Sequence, residues 1–218
     1  MPSGGVANTF GEVMKDSGLG TSIVKRIECS PGTTTIADKA YQYLTFIESV
    51  DLPDSITSIG SFAFRGCASL RSIRFPKKIT FIPGYCVAQT SVANIELPDS
   101  IVRLGYAAFY MTPLATIYIP NSVKEIDSWC FESCSSLKSV HIGTGIEYIA
   151  DGVFIRCSKL EDVIIDAINP PRLHGSSVFE STIKNIYVPD SYVDDYKSAT
   201  NWSVLAAKIK PISERPKN

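Results

Sequence analysis

No stretch of this chain approaches the roughly 18–20 uninterrupted apolar residues of a membrane-spanning helix, so no such span is expected. Neither sign of charge dominates: 21 Lys and Arg stand against 22 Asp and Glu, a formal net charge of −1. That balance argues against nucleic acid as a partner, which calls for a basic patch or stripe. Histidine is scarce, with only His141 and His174 in 218 residues. There is no Gly-rich phosphate loop, EF-hand ligand set or His-Glu-x-x-His motif, and no cofactor or metal is expected. The opening Met1-Pro2-Ser3-Gly4-Gly5 has neither the basic start nor the apolar stretch of a signal peptide. Export would therefore use a leader already removed or a different route; a fragment of a longer chain, or a phage component, would begin in the same way.

What the chain has in abundance is one recurring phrase, apolar-x-x-apolar-x-apolar, usually closed by Pro. It reads Ile47-Glu48-Ser49-Val50-Asp51-Leu52-Pro53, then Leu70-Arg71-Ser72-Ile73-Arg74-Phe75-Pro76, and again from Val92 and Leu114. Later copies start at Leu137, Leu160 and Ile183, and a worn copy starts at Val24. The spacing never departs from 22 or 23 residues, which is the signature of a solenoid. Within each phrase the last two apolar residues are two apart and so share one face of a strand, while Pro, which has no N–H, ends the ladder. Equal spacing then stacks successive strands in parallel, about 4.8 Å apart. No coil covers its own apolar face, so neighbours must do it.

Each repeat carries a second apolar pair, such as Ile56/Ile59, Ile79/Ile82 and Ile101/Leu104. A bulky residue follows, as at Phe64, Val87, Phe109, Phe131 and Phe154, and often a Cys, as at Cys67, Cys134 and Cys157. In the coils between, counting back from the next phrase puts Gln89 and Met111 in the cysteine slot. Gly60 and Gly105 sit after the second pair and are read as turn residues with positive φ.

This consensus resembles the BspA-like leucine-rich repeat family over about residues 24–189, and Ile59-Gly60-Ser61-Phe62-Ala63-Phe64-Arg65-Gly66-Cys67 matches it closely. The Asn of common leucine-rich repeats is missing; Ser55, Lys78, Ser100 and Ser122 occupy its slot. The resemblance implies a right-handed repeat solenoid with one continuous parallel sheet and short turns or minor strands opposite. It further implies a bacterial cell-surface or secreted protein that adheres to a host extracellular or cell-surface protein.

The cysteines read as small buried side chains, because their positions are locked to the repeat. Only Cys134 and Cys157 lie in adjacent coils, and stacked equivalents have parallel Cβ vectors, a poor geometry for a disulfide. A zinc site from Cys130, Cys134 and Cys157 lacks a paired Cys-x-x-Cys. Three segments follow: an N-terminal cap or linker over 1–22, with a short helix over 6–15; the repeat domain over 23–189; and a helical cap over 190–218. In the cap, Asp190 or Ser191 is the expected N-cap, and Tyr192, Tyr196 and Trp202 are expected to plug the last coil. Pro170-Pro171 and Gly175 predict an irregular edge.

The outward strand positions form columns. One runs Glu28, Asp51, Arg74, Glu96, Tyr118, His141, Ile164, Tyr187, and the column beside it includes Asp162 and Asn185. Tyr118, His141, Ile164 and Tyr187 are predicted to form an exposed ligand-facing stripe, flanked by Asp162, Asn185 and Arg74, since Tyr and Arg are enriched at binding hot spots. A second, discontinuous outward set is Phe81, Arg103, Lys124 and Tyr148. Ser139, His141 and Asp162 supply the residue types of a hydrolytic triad, but a flat sheet gives it neither oxyanion donors nor an enclosed pocket. The expectation is a non-enzymatic protein-binding or adhesion module. A carbohydrate-binding surface and a structural spacer in a larger surface or phage protein stay open as alternatives.

Overall fold

The computed structural model describes residues 5–7, 25–29, 32–175, 177–179 and 182–216. Among the described residues, sixteen short strands, numbered along the chain, fall into two stacked rows. The back row comprises β1 (Gly5–Ala7), β3 (Thr33–Ile36), β5 (Ser58–Ile59), β7 (Phe81–Ile82), β8 (Arg103–Leu104), β10 (Glu125–Ile126), β12 (Tyr148–Ile149) and β14 (Arg172–Leu173). The front row comprises β2 (Arg26–Glu28), β4 (Ser49–Asp51), β6 (Ser72–Arg74), β9 (Thr116–Ile119), β11 (Ser139–Ile142), β13 (Asp162–Ile165), β15 (Asn185–Val188) and β16 (Ile209–Pro211). All pairing is parallel and like sits over like: Val50 on Ile73, Ile117 on Val140, Val140 on Val163. This is a parallel β-solenoid of about eight turns with little helix.

Neither row is one continuous sheet, which corrects the sequence expectation. The back row breaks between β5 and β7. In other coils the residue after the strand donates to the coil before, as Gly60 N–H does to Ile36 O (2.8 Å) and Gly105 N–H to Ile82 O (2.8 Å). Pro83 holds that place at the break and has no hydrogen to give. The front row breaks into β2-β4-β6 and β9-β11-β13-β15-β16. Between them, among the described residues, no backbone hydrogen bond reaches residues 94–97.

That second break coincides with shortened coils. The link from Val87 to Val92 spans five positions against six from Phe64 to Leu70, and the link from Phe109 to Leu114 is equally short. The missing residue also shifts the cysteine column. Thr90 and Thr112, not Gln89 and Met111, share the cysteine position: both are buried, and their hydroxyls donate to Val87 O (2.9 Å) and Phe109 O (2.8 Å). Gln89 and Met111 occupy the preceding left-handed position, at φ 58° and 55°.

The third side of each coil is a chain of turns whose amides donate forward, as Phe64 N–H does to Cys86 O (2.9 Å) and Phe131 N–H to Val153 O (3.0 Å). The bulky column beneath it forms a phenyl stack, Phe109–Phe131–Phe154–Phe179, with centroids 4.9, 5.5 and 5.7 Å apart. Each ring buried this way contributes roughly 1.5–3 kcal/mol. Gly60 and Gly105 do not have positive φ; they are needed for close approach. A β-carbon would stand 2.3 Å from Asp38 N at Gly60 and 2.7 Å from Ile82 O at Gly105.

The ends follow the sequence reading at the C-terminal plugs but not at the N-terminal segment or the helix cap. Gly5–Ala7 is a strand on β3, so the expected helix fails at Val6 and Ala7; residues 8–15 lie outside the described residues. At the other end Trp202 and Tyr196 are fully buried plugs. Trp202 continues the phenyl stack from Phe179 (5.9 Å) and donates Nε1–H to Pro171 O (2.8 Å), and Tyr196 donates its hydroxyl to Ala167 O (2.8 Å). Of the 170–175 segment only Arg172–Leu173 stays in the back row, Arg172 pairing with Tyr148, and bends follow it. Neither Asp190 nor Ser191 caps helix α1 (Val193–Ser198); Asp190 Oδ1 instead accepts Ser213 N–H (3.1 Å). Strand β16 then repeats β15 at a further 23 residues, Ile209 on Ile186, as an additional rung.

Candidate functional site

Period two turns Tyr118, His141, Ile164 and Tyr187 to the same face, and the ladder sets them side by side in one column. Their exposure differs. Tyr118 is 46% exposed and meets the His141 ring edge-to-face at 5.2 Å. His141 is half-buried and shares a 2.7 Å hydrogen bond between Nε2 and Asp166 Oδ2. Ile164 and Tyr187 are both 3% exposed, so the expected four-residue stripe in solvent reduces to Tyr118 and His141. Ile164 lies between two larger side chains of its own column. Tyr187 has strands on both sides, and the tail beyond β16 brings Glu214 and Arg215 within electrostatic reach of it. Burial raises the Tyr187 phenol above its ordinary value; Asp162 and Glu214 push the same way, and Arg215 opposes them.

The flanking residues are tied to one another. Asn185 Nδ2 donates to Asp162 Oδ1 (2.7 Å). Arg74 is held back over the preceding coil by Asp51 Oδ1 (2.9 Å), Asp54 Oδ1 (3.1 Å) and Leu52 O (2.8 Å). With Asp166 engaged to His141 and Asp162 to Asn185, Ser139, His141 and Asp162 are not linked as a relay. Among the described residues no three His, Cys, Asp or Glu side chains gather as a metal-binding group, and no helix is long and apolar enough to cross a membrane.

Where the front row is open, a cleft of about 750 Å³ separates β6 from residues 94–100. Ser72, Ile73, Arg74 and Phe75 form one wall; Asn94, Ile95, Glu96 and Leu97 form the other. On the back face Glu125, not Lys124, shares the row with Phe81, Arg103 and Tyr148. There Arg103 binds Asp127 Oδ2 (2.8 Å) and covers the Phe81 ring at 5.6 Å.

The third side carries an aromatic ridge that the strand columns did not reveal. Phe62 stacks on Tyr85 (4.9 Å), Tyr85 meets Tyr106 (5.5 Å), and Tyr106 meets Trp129 edge-on (5.0 Å). Arg65 lies 5.0 Å from the Tyr85 ring. Lining up the turn positions at the same period would have exposed this ridge, since Phe62, Tyr85 and Trp129 share one left-handed position. Only the Phe62–Tyr85 pair is stacked face to face; Tyr106 and Trp129 are 40% and 37% exposed.

The BspA type leucine-rich repeat region matches this chain in six copies, over residues 34–161 and 81–195. A comparison with curated protein sequences finds no match. Among solved structures, a leucine-rich repeat protein of T. pallidum superposes with TM-score 0.65 at 26% identity, covering 88% of this chain and 87% of its own. A leucine-rich repeat protein of Bacteroides ovatus gives TM-score 0.53 at 19% identity, over 78% of this chain and 64% of its own.

Proposed function

Since the chain belongs to the BspA-type leucine-rich repeat family, we propose that it is a non-enzymatic adhesion module at the bacterial surface or in secretion, holding a host extracellular or cell-surface protein on its front face. The observation that carries this reading is Tyr118: a large side chain, 46% exposed, on a rigid strand that does not need it for packing, braced edge-on by His141. A rigid aromatic loses little conformational entropy on binding, which is why such residues anchor protein interfaces. Asp162, Asn185 and the half-buried His141 extend the patch as a polar surround. Ile164 and Tyr187 continue the same column as buried neighbours.

The test is retention of the chain on an immobilised panel of extracellular-matrix and cell-surface proteins, beside a glycan array. The expected result is retention on at least one protein, weakened about tenfold or more by Tyr118→Ala with an unchanged melting temperature. Binding to glycans alone, or equal retention of the variant, overturns the reading.

A further inference from the structure

The cleft between the third and fourth coils presents backbone rather than side-chain chemistry. In the paired part of the front row, carbonyls of alternate residues accept from the following coil: Lys138 O from Glu161 N–H (3.0 Å) and Ile142 O from Asp166 N–H (2.9 Å). Peptide groups of one parity therefore point forward. Val140 has that parity, and its equivalent in the third coil is Ile73. The Ile73 peptide groups thus face the cleft, while residues 94–97 opposite belong to no strand. Residues 94–97 make no backbone hydrogen bond with either neighbour among the described residues.

The opening is a wedge confined to the front. Behind it the same two coils stay bonded through Val102 N–H to Thr80 O (2.8 Å), Tyr85 N–H to Tyr106 O (3.0 Å) and Gln89 N–H to Tyr110 O (2.8 Å). Its floor is apolar, with Ile73 and Leu97 buried and Ile95 partly so. Its lip is charged in both signs by Lys77, Glu96 and Asp99. An open strand edge over an apolar floor is what an added strand requires: main-chain hydrogen bonds give affinity and alternate side chains give specificity.

We infer that this cleft takes an extended peptide segment from a partner protein as an added strand of the front row. The segment pairs with β6, is about as long as that three-residue strand, and turns one aliphatic side chain inward between Ile73 and Ile95. The site stands independently of the Tyr118 patch, and its probe is a peptide rather than a matrix protein.

The experiment selects a random dodecapeptide display library on the whole chain. The enriched peptides are then titrated into wild type, Asn94→Pro, and a variant with one Ala inserted between Ser91 and Val92. Proline at 94 removes an N–H that makes no backbone hydrogen bond among the described residues; the insertion restores the 23-residue coil so that the row can close. Thermal melts report that both variants fold. Peptides with an aliphatic residue are expected to bind wild type, to lose about tenfold or more on both variants, and to slow hydrogen exchange at the Ile73 amide. Failure to enrich any sequence over an unrelated protein, or equal binding by both variants, overturns the inference.

Discussion

The Asn121 side chain accepts the backbone N–H of Thr144, its equivalent one coil later, at 2.9 Å. The same bond recurs from Asp54 to Lys77 N–H (3.2 Å) and from Asp190 to Ser213 N–H (3.1 Å), each 23 residues apart. An Asp or Asn directly after the strand-closing Pro therefore does, in these coils, the inter-coil work for which common leucine-rich repeats use Asn elsewhere. Asn121→Ala is expected to cost about 1 kcal/mol, the worth of one such hydrogen bond. Gly145→Ala should cost more, because its β-carbon would stand 1.9 Å from the Asn121 carbonyl oxygen. Urea unfolding of both variants checks the order; equal stability of wild type and Asn121→Ala would remove this ladder from the account.

The left-handed position that begins each turn is filled by Phe62, Tyr85, Ala107 and Trp129, and then by Gly152. An L-residue held there costs roughly 1–2 kcal/mol relative to glycine. Ala107, at φ 50°, brings only a methyl group to offset it. Ala107→Gly is expected to raise stability by a few tenths to about 1 kcal/mol, the relief of strain being reduced by the greater freedom of glycine in the unfolded chain. Gly152→Ala should lower it, since the added carbon would stand 2.5 Å from the Trp129 ring. Denaturation midpoints of the two variants should move in opposite directions.

Stability should fall at acid pH. The Asp54 carboxyl is held below its ordinary 3.8, first by the Lys77 N–H and then by Arg74. Asp190 is likewise lowered, by the hydroxyl and N–H of Ser213. A depressed folded value means that the stabilisation is present above the unfolded value and is lost as pH drops through the folded one. The melting temperature of wild type should therefore decline below pH 3.8, and that of Asp54→Asn should decline less.

The thiols should be inert in the native state. Burial pushes Cys67 up to about 12 and raises Cys86 and Cys130. Cys67, Cys134 and Cys157 donate to Tyr41 O, Phe109 O and Phe131 O at 3.0, 3.2 and 3.1 Å. At most the half-buried Cys29 is expected to react with a thiol reagent before unfolding, and all six afterwards. Rapid native labelling of several thiols would contradict this packing.

Much of this fold can be read from spacing, because side chains that recur every 22 or 23 residues must stack. The registers of Val50 on Ile73 and Ile117 on Val140, the phenyl stack and the Trp202 plug all follow from it. Reading failed where one residue changed the path. The shortened link before Val92 moves Thr90 into the cysteine column and precedes the unpaired residues 94–97, and Pro83 withholds a donor from the back row. Column reading gives which face a side chain joins but not what later crosses that face, so Tyr187 looked exposed until β16 and the tail were in place. The aromatic ridge was missed because its residues sit in turns, where period two gives no guidance.

The central claim is that partners are held by the front face. Hydrogen exchange of the chain, free and bound to a protein it retains, tests this most directly. Slowed exchange confined to β9 and β11 around Tyr118 and His141, with the ridge from Phe62 to Trp129 unchanged, is the predicted result. Slowing on that ridge or on the back row, with β9 and β11 unchanged, would contradict it.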